Sequence, residues 1–277
     1  MPGLWLMISL KGGIWNFTER NRMPVPMNSL KAALVNKQPQ FGLWVNLASA
    51  YSAELMAGAG FDWLLIDAEH GPNSVTTILA QMQAIGPRCQ VVVRPIEGET
   101  WMIKQLLDLG VQTILVPMIE SVGAAEKMVR AMHYPPKGNR GVGAAVARAS
   151  DFGRQTDYIH TAGAQTCLLL QIESRAGLAA LPDILALDGV DGVFIGPADL
   201  AADMGFPGNA GAPQVQAAID AALLAIIASG KSAGILTFDL NAAARYRDMG
   251  VTFIGVGADL SLLVKAAKTL SDSVRAL

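Results

Sequence analysis

Short, almost uninterrupted apolar runs recur along this chain, and a longer amphipathic stretch separates most of them. The runs occupy residues 41–47, 63–67, 90–94, 113–118, 167–173, 192–195, 233–237 and 253–257. Their length suits β-strands, and their continuous apolarity suits strands covered on both faces, as in a parallel sheet. Residues 51–59, 75–85, 101–109, 123–132, 215–229 and 240–249 carry apolar side chains at three- and four-residue spacing, which predicts helices lying on that sheet. A last helical pattern covers 260–276. Gly60, Gly110, Gly230 and Gly250 follow helical stretches, where a left-handed cap is expected. Eight strands in a repeating unit predict a closed (β/α)8 TIM barrel. An open doubly wound sheet is the alternative that strand number alone leaves standing.

The bulk properties narrow the class. At 277 residues the chain suits one large domain, and no linker or repeat divides it. Hydrophobic residues make up 52% and charged residues 16%, which excludes disorder and suggests surface buried between subunits. A net charge of −2 gives no sign of a nucleic-acid partner. Two cysteines, Cys89 and Cys167, are too few for a disulfide framework, so a cytoplasmic setting is expected. No apolar stretch is long enough for a membrane span. Residues 1–26 read as an extension outside the fold, and 27–277 as the barrel domain. The apolar run 4–10 has no basic region before it and no small-residue cleavage site after it, so it does not read as a signal peptide. Residues 132–166 break the strand–helix rhythm and are either a surface excursion or a loop that shapes a site.

Catalytic groups in such a barrel come from the C-terminal strand ends. Here the apolar runs stop abruptly at polar residues: Asp67, Glu69 and His70 after the second, Arg94 after the third, Gln171 and Glu173 at the fifth, Asp199 after the sixth. Glu173 and Asp199, on neighbouring strands, form the best pair for a hard divalent cation such as Mg²⁺ or Mn²⁺; two carboxylates salt-bridged at the rim are the plainer reading. His70, beside an acidic cluster, suits a general base, or else a hydrogen-bonded structural histidine. Arg94, after three valines, needs an anion or carboxylate partner and would stabilise an enolate oxygen. Glu120 also follows an apolar run and ranks below Glu173 as a ligand. The lysines fall in the N-terminal extension, on helices or in loops rather than at strand ends, which argues against a Schiff-base mechanism. Gly141-Val142-Gly143 lacks the strand–turn–helix context of a nucleotide fingerprint.

The runs Gly60-Phe61-Asp62-Trp63-Leu64-Leu65-Ile66-Asp67-Ala68-Glu69-His70-Gly71-Pro72, Val92-Val93-Arg94-Pro95, Leu115-Val116-Pro117-Met118, Tyr134-Pro135-Pro136, Arg140-Gly141-Val142-Gly143, Gln171-Ile172-Glu173 and Gly192-Val193-Phe194-Ile195-Gly196-Pro197-Ala198-Asp199-Leu200 resemble the HpcH/HpaI aldolase family. The resemblance covers nearly all of 28–270. It implies a TIM barrel of the phosphoenolpyruvate/pyruvate-binding type and a class II pyruvate aldolase of aromatic-acid breakdown. Glu173 and Asp199 would hold the metal: Mg²⁺, Mn²⁺ or Co²⁺. His70, through water, would take the aldol hydroxyl proton. Asp108 would raise the basicity of that histidine from a neighbouring subunit. Arg94 would stabilise the enolate, Gln171 and the Ala198 backbone N–H would bind the pyruvate moiety, and Asp67 would order water near the metal. The family's assembly would be a hexamer built from dimers that exchange C-terminal helices.

The expected reaction is reversible cleavage of a 4-hydroxy-2-oxo acid to pyruvate and an aldehyde. Trp44 and Leu236 lie near strand ends and are candidates for the aldehyde wall. Hydroxypyruvate differs from pyruvate by one hydroxyl and remains open as a nucleophile. Two other functions stay in view: an acyl-CoA lyase of the citrate lyase beta type, and a metal-binding barrel without catalysis.

Overall fold

The computed structural model describes residues 25–277. The expectation about an N-terminal extension therefore falls almost wholly outside the described residues. Its last two residues touch the barrel: Val25 packs beside the Tyr134 cluster, and the Pro26 carbonyl accepts from Gln112 Nε2 at 2.6 Å.

The strands are β1 (Gln40–Val45), β2 (Trp63–Asp67), β3 (Gln90–Arg94), β4 (Thr113–Val116), β5 (Cys167–Ile172), β6 (Gly192–Ile195), β7 (Ser232–Leu236) and β8 (Phe253–Ala258). All pair in parallel, in sequence order, and β8 returns to β1, so the barrel is closed. Connections are α1 (Ser29–Val35), α2 (Ala50–Ala57), α3 (Val75–Ile85), α4 (Thr100–Leu109), α5 (Val122–Met132), α6 (Tyr158–Thr161), α7 (Arg175–Leu185), α8 (Pro197–Asp203), α9 (Pro213–Ala228), α10 (Leu240–Met249) and α11 (Asp259–Arg275). Helices α4 and α10 end at Gly110 and Gly250, whose φ of 99° and 104° is the left-handed cap that glycine adopts most cheaply.

Strand side chains alternate between the two faces of the sheet, and the alternation yields two cores. Outward residues such as Leu64, Ile66, Val93, Ile114, Leu168 and Leu170 pack under the helices. Inward residues Trp44, Trp63, Leu65, Val92, Leu115, Leu169, Phe194 and Phe253 fill the barrel. Trp63 stacks on Phe253 with ring centres 4.0 Å apart. A side chain at Gly42 would overlap the Trp63 ring, with a Cβ only 2.0 Å from it, so that position must be glycine. Truncating Trp63 to alanine should cost about 3–5 kcal/mol.

Helix α1 closes the N-terminal end of the barrel. Leu30 and Leu34 join the inner core, Lys31 pairs with Asp191 at 3.0 Å, and Asn28 caps the helix while donating to Thr113 Oγ1 at 3.0 Å. At the other terminus, buried Asp259 ties the start of α11 to the loop after β1 by accepting from the backbone N–H of Asn46 at 2.9 Å. Beyond that anchor α11 is exposed, and Leu262, Leu263, Val264, Leu270 and Val274 each leave more than half of their surface uncovered by the described residues of this chain. The irregular region after α5 folds around Tyr134, Ala144, Tyr158 and Ala162. Among the described residues no helix is long and apolar enough to cross a membrane.

Candidate active site

The period that builds the inner core also places the polar groups. Asp67 follows Leu65 by two residues, Arg94 follows Val92, Asn46 follows Trp44, and Gln171 and Glu173 continue from Leu169. Each therefore leaves the sheet on the inner face at the C-terminal rim. Asp67 and Arg94 are register partners across β2 and β3.

Asp67 grips Arg94 with both oxygens: Nε donates to Oδ1 at 2.9 Å and Nη2 to Oδ2 at 2.8 Å. Asp67 also accepts from Asn46 Nδ2 at 2.9 Å and from the backbone N–H of Glu69 at 3.1 Å. Burial alone would push its carboxyl up, but Arg94 and the N–H donors of His70 and Glu69 outweigh burial and hold it below the usual range. Burial likewise opposes the charge on Arg94; the carboxylates of Asp67, Glu69 and Glu173 raise its pKa regardless. Arg94 Nη1 donates to Gln171 Oε1 at 3.4 Å, and Gln171 Nε2 donates to Glu173 Oε2 at 2.6 Å. Glu173 Oε1 accepts the Met118 N–H at 2.9 Å, from a residue held at φ 55°. Glycine at 196 is required here too, since a Cβ would stand 2.4 Å from Glu173 Oε2.

The remaining carboxylates are short of countercharge. Glu69 Oε2 approaches Arg94 Nη1 at 2.8 Å but makes no hydrogen bond of good geometry, although it is buried. Burial, reinforced by the charges of Glu173 and Asp67 and only partly offset by Arg94 and His70, pushes Glu69 up to about 7. Burial and the charge of Asp199 raise Glu173 against the pull of Gln171, the Met118 N–H and Arg94. Asp199 stands exposed in the first turn of α8, and Ala198 N–H lies in the same turn. Among the described residues no three histidine, cysteine, aspartate or glutamate side chains form a ready metal cage. Two carboxylates with a third nearby, only partly balanced by Arg94 and open to solvent at Asp199, fit a hard cation completed by water and an oxygen-bearing ligand.

The structure thus brings together Asp67, Arg94, Gln171, Glu173 and, by its charge, Asp199. His70 stands at the rim with its side chain 64% exposed, and its Nε2 is 3.8 Å from Glu69 Oε2. Trp44 is buried beneath Arg94, with the guanidinium carbon 5.9 Å from its ring, and its indole N–H has no acceptor among the described residues. Trp44 and Leu236 meet over Gly255, where a Cβ would stand 2.3 Å from the one and 2.9 Å from the other. Asp108 is elsewhere: it lies in the last turn of α4, which runs away from the mouth, and it pairs with Arg140 at 2.8 Å. Glu120 is exposed and lies in the loop between β4, which ends at Val116, and α5. Sequence reasoning gave no role to Glu69 or Asn46. Glu69 was detectable as the second carboxylate of Asp67-Ala68-Glu69-His70, on the same side of an extended chain as Asp67.

A closed parallel barrel whose C-terminal mouth combines carboxylates, an amide and a fixed guanidinium defines a catalytic barrel. The chain belongs to the HpcH/HpaI aldolase/citrate lyase family, whose model matches residues 40–266. It is 56% identical to the 4-hydroxy-2-oxo-heptane-1,7-dioate aldolase of Escherichia coli over 245 residues, which are 88% of this chain and 94% of that one. It is 52% identical to the hydroxypyruvate/pyruvate aldolase of Pseudomonas aeruginosa over 250 residues, 90% of this chain and 93% of the relative. Among solved structures, a HpcH/HpaI aldolase/citrate lyase family protein from Burkholderia cenocepacia J2315 shares 40% identity and superposes with a TM-score of 0.86, covering 90% of this chain and 100% of that one.

Proposed function

We propose that the protein is a divalent-metal-dependent aldolase that cleaves 4-hydroxy-2-oxo acids to pyruvate and an aldehyde, and catalyses the reverse addition. The observation that carries this reading is the imbalance at the mouth: Glu69, Glu173 and Asp199 crowd around a single guanidinium, Arg94, which Asp67 already holds rigid. Glu173 and Asp199 would hold Mg²⁺, Mn²⁺ or Co²⁺, and the bound ion would polarise the keto group of the oxo acid. The chain's own groups do the rest. His70, acting through a water, takes the proton from the C4 hydroxyl. The C3–C4 bond breaks, the aldehyde leaves, and the electron pair becomes the pyruvate enolate. Arg94, already oriented, meets the charge that develops on the enolate oxygen. Gln171 and the Ala198 N–H bind the pyruvate end, and C3 then takes a proton through the water that carried the hydroxyl proton to His70, which closes the proton balance. Asp67 keeps Arg94 in place and orders water on the same side. Trp44 and Leu236 wall the aldehyde pocket.

The names of the relatives support 4-hydroxy-2-oxoheptanedioate as one substrate and hydroxypyruvate as an alternative nucleophile. The partly uncovered apolar side chains of α11 and the place of Asp108 in the last turn of α4 support a homo-oligomer, a hexamer built from dimers with exchanged C-terminal helices. Free buried cysteines suit a cytoplasmic enzyme. The test is a panel of 4-hydroxy-2-oxo acids assayed with chelator and after adding back Mg²⁺, Mn²⁺ or Co²⁺. Loss and recovery are expected; full activity with the metal shown to be absent would sink the mechanism. Binding of a CoA ester, read by thermal shift, would favour the acyl-CoA lyase instead.

A further inference from the structure

Arg140 is a fully buried guanidinium with a single carboxylate partner among the described residues. Its side chain is 1% exposed, and its guanidinium carbon lies 4.5 Å from the Tyr134 ring centre and 5.7 Å from that of Tyr158. Nη2 donates to Asp108 Oδ1 at 2.8 Å and approaches Tyr158 Oη at 3.4 Å, while Nε has no acceptor among the described residues. Burying a cation in this way is costly, and two aromatic faces offset only part of the cost. The arrangement does one definite thing. It fixes Asp108 by Oδ1 alone. The other oxygen, Oδ2, borders Gly143, where even a Cβ would stand 3.3 Å away, and the Asp108 side chain stays 26% exposed. One carboxylate oxygen is therefore anchored from below and the other is kept clear.

We infer that Arg140 is a positioning residue: with the Tyr134–Tyr158 cage it holds Asp108 so that Oδ2 is presented across a subunit interface to His70 of a second copy. The inference rests on the proposed support of His70 by Asp108 from a neighbouring subunit. Within the Arg140-Gly141-Val142-Gly143 motif, the arginine then anchors one oxygen and the second glycine leaves the other open.

The experiment is intersubunit complementation in the full-length oligomer, with retro-aldol cleavage as the readout. Asp108→Ala tests the underlying reading by itself; full activity in that variant removes the shared site, whatever Arg140 does. Given a defective Asp108→Ala, Arg140→Met should lower kcat by a similar factor, about 10²–10⁴ for lost acid–base support. KM and oxaloacetate decarboxylation should change little. Arg140→Lys should recover part of the loss. Arg140→Met subunits, dissociated and reassembled with His70→Ala subunits, should regain activity, because some interfaces then join an intact histidine to an intact, well-held aspartate. Mixed with Asp108→Ala subunits they should not, because both lesions lie on the same side of the interface. Gly143→Val, which crowds Oδ2 without touching the buried arginine, should fall in the same complementation group and decides the matter if Arg140→Met does not assemble. Wild-type activity in Arg140→Met overturns the inference. So does recovery with Asp108→Ala, or no recovery with His70→Ala in verified mixed oligomers.

Discussion

The two ends of the barrel treat buried polar groups in opposite ways. At the closed end Lys31 answers Asp191, Asn28 both caps α1 and bonds Thr113, and Ser232 Oγ donates to the Leu34 carbonyl at 3.3 Å. Charges there are matched and the Asn28 amide is satisfied; the Thr252 hydroxyl just before β8, buried there without a partner among the described residues, is neutral. At the mouth, Asp67, Glu69 and Glu173 share one buried guanidinium, Asp199 adds its charge beside Glu173, and Glu69 Oε2 is left without a proper donor among the described residues. Both ends are made of the same repeating unit, so the fold does not require the difference. An end that only has to hold together can satisfy its groups internally. An end that must bind a cation and an oxo acid keeps negative charge in reserve and is less stable for it.

The broadest effect expected from breaking this contrast is at Arg94, where one change should strike both reactions. Arg94→Ala should lower both aldol cleavage and oxaloacetate decarboxylation by about 10²–10³, since both pass through the enolate that we propose it stabilises. His70→Ala should separate the two reactions. Cleavage should fall by about 10²–10⁴, while decarboxylation, which has no hydroxyl proton to remove, should largely survive. Steady-state assays of both reactions check this; equal loss of both in the His70 variant overturns its assignment as base.

Glu173→Gln comes next. It should abolish the response of activity and of Tm to added Mg²⁺ or Mn²⁺, because an anionic ligand becomes a neutral amide. In chelator the same change should raise Tm, because it removes charge from a crowded site. A fall in metal-free Tm would mean that the mouth is not electrostatically strained. At the closed end Asn28→Ala should do the reverse. It should cost about 1 kcal/mol through the lost cap, or about 2–4 °C in Tm for a domain of this size, and leave kcat unchanged.

What could be read in advance follows the same division. Strand positions and the inward pair Gln171 and Glu173 were legible because a period of two is local information. The carboxylates Glu173 and Asp199, proposed above as the ligand pair, and the arginine Arg94 stood out because each interrupts an apolar run. Helix α7 was not legible, because Gly177 and Pro182 interrupt its pattern, although Ser174 caps its start. Asn46 and Asn73 were invisible for a different reason. Asn46 reaches Asp67 Oδ2, and Asn73 donates to the Asp67 carbonyl at 2.7 Å, so their importance lies in a partner that no spacing rule identifies. Arg140 stood out as part of a motif, but its burial between two tyrosines depends on how 132–166 folds back on itself.

The smallest effect is also the most specific test of the comparison, and it concerns Glu69. Its carboxyl is pushed up to about 7 in the folded chain, against an ordinary glutamate value of 4.5. Below about pH 4.5 the group is protonated whether the chain is folded or not, and it makes no pH-dependent contribution. Between about 4.5 and about 7 the unfolded chain releases the proton first, so each step up in pH favours unfolding. Glu69→Gln removes this titration while keeping the side chain's size. In chelator, the variant and the wild type should therefore have similar Tm near about pH 4.5. The variant should become the more stable of the two as pH rises towards about 7, and the gap should stop growing above that. Adding Mg²⁺ at a pH above this window should narrow the gap, because a cation at Glu173 and Asp199 would supply the charge that Glu69 lacks. A gap that is constant across this range, or one that Mg²⁺ widens, would show that Glu69 is already neutralised within the chain, and the contrast between the two ends would then rest on Glu173 and Asp199 alone.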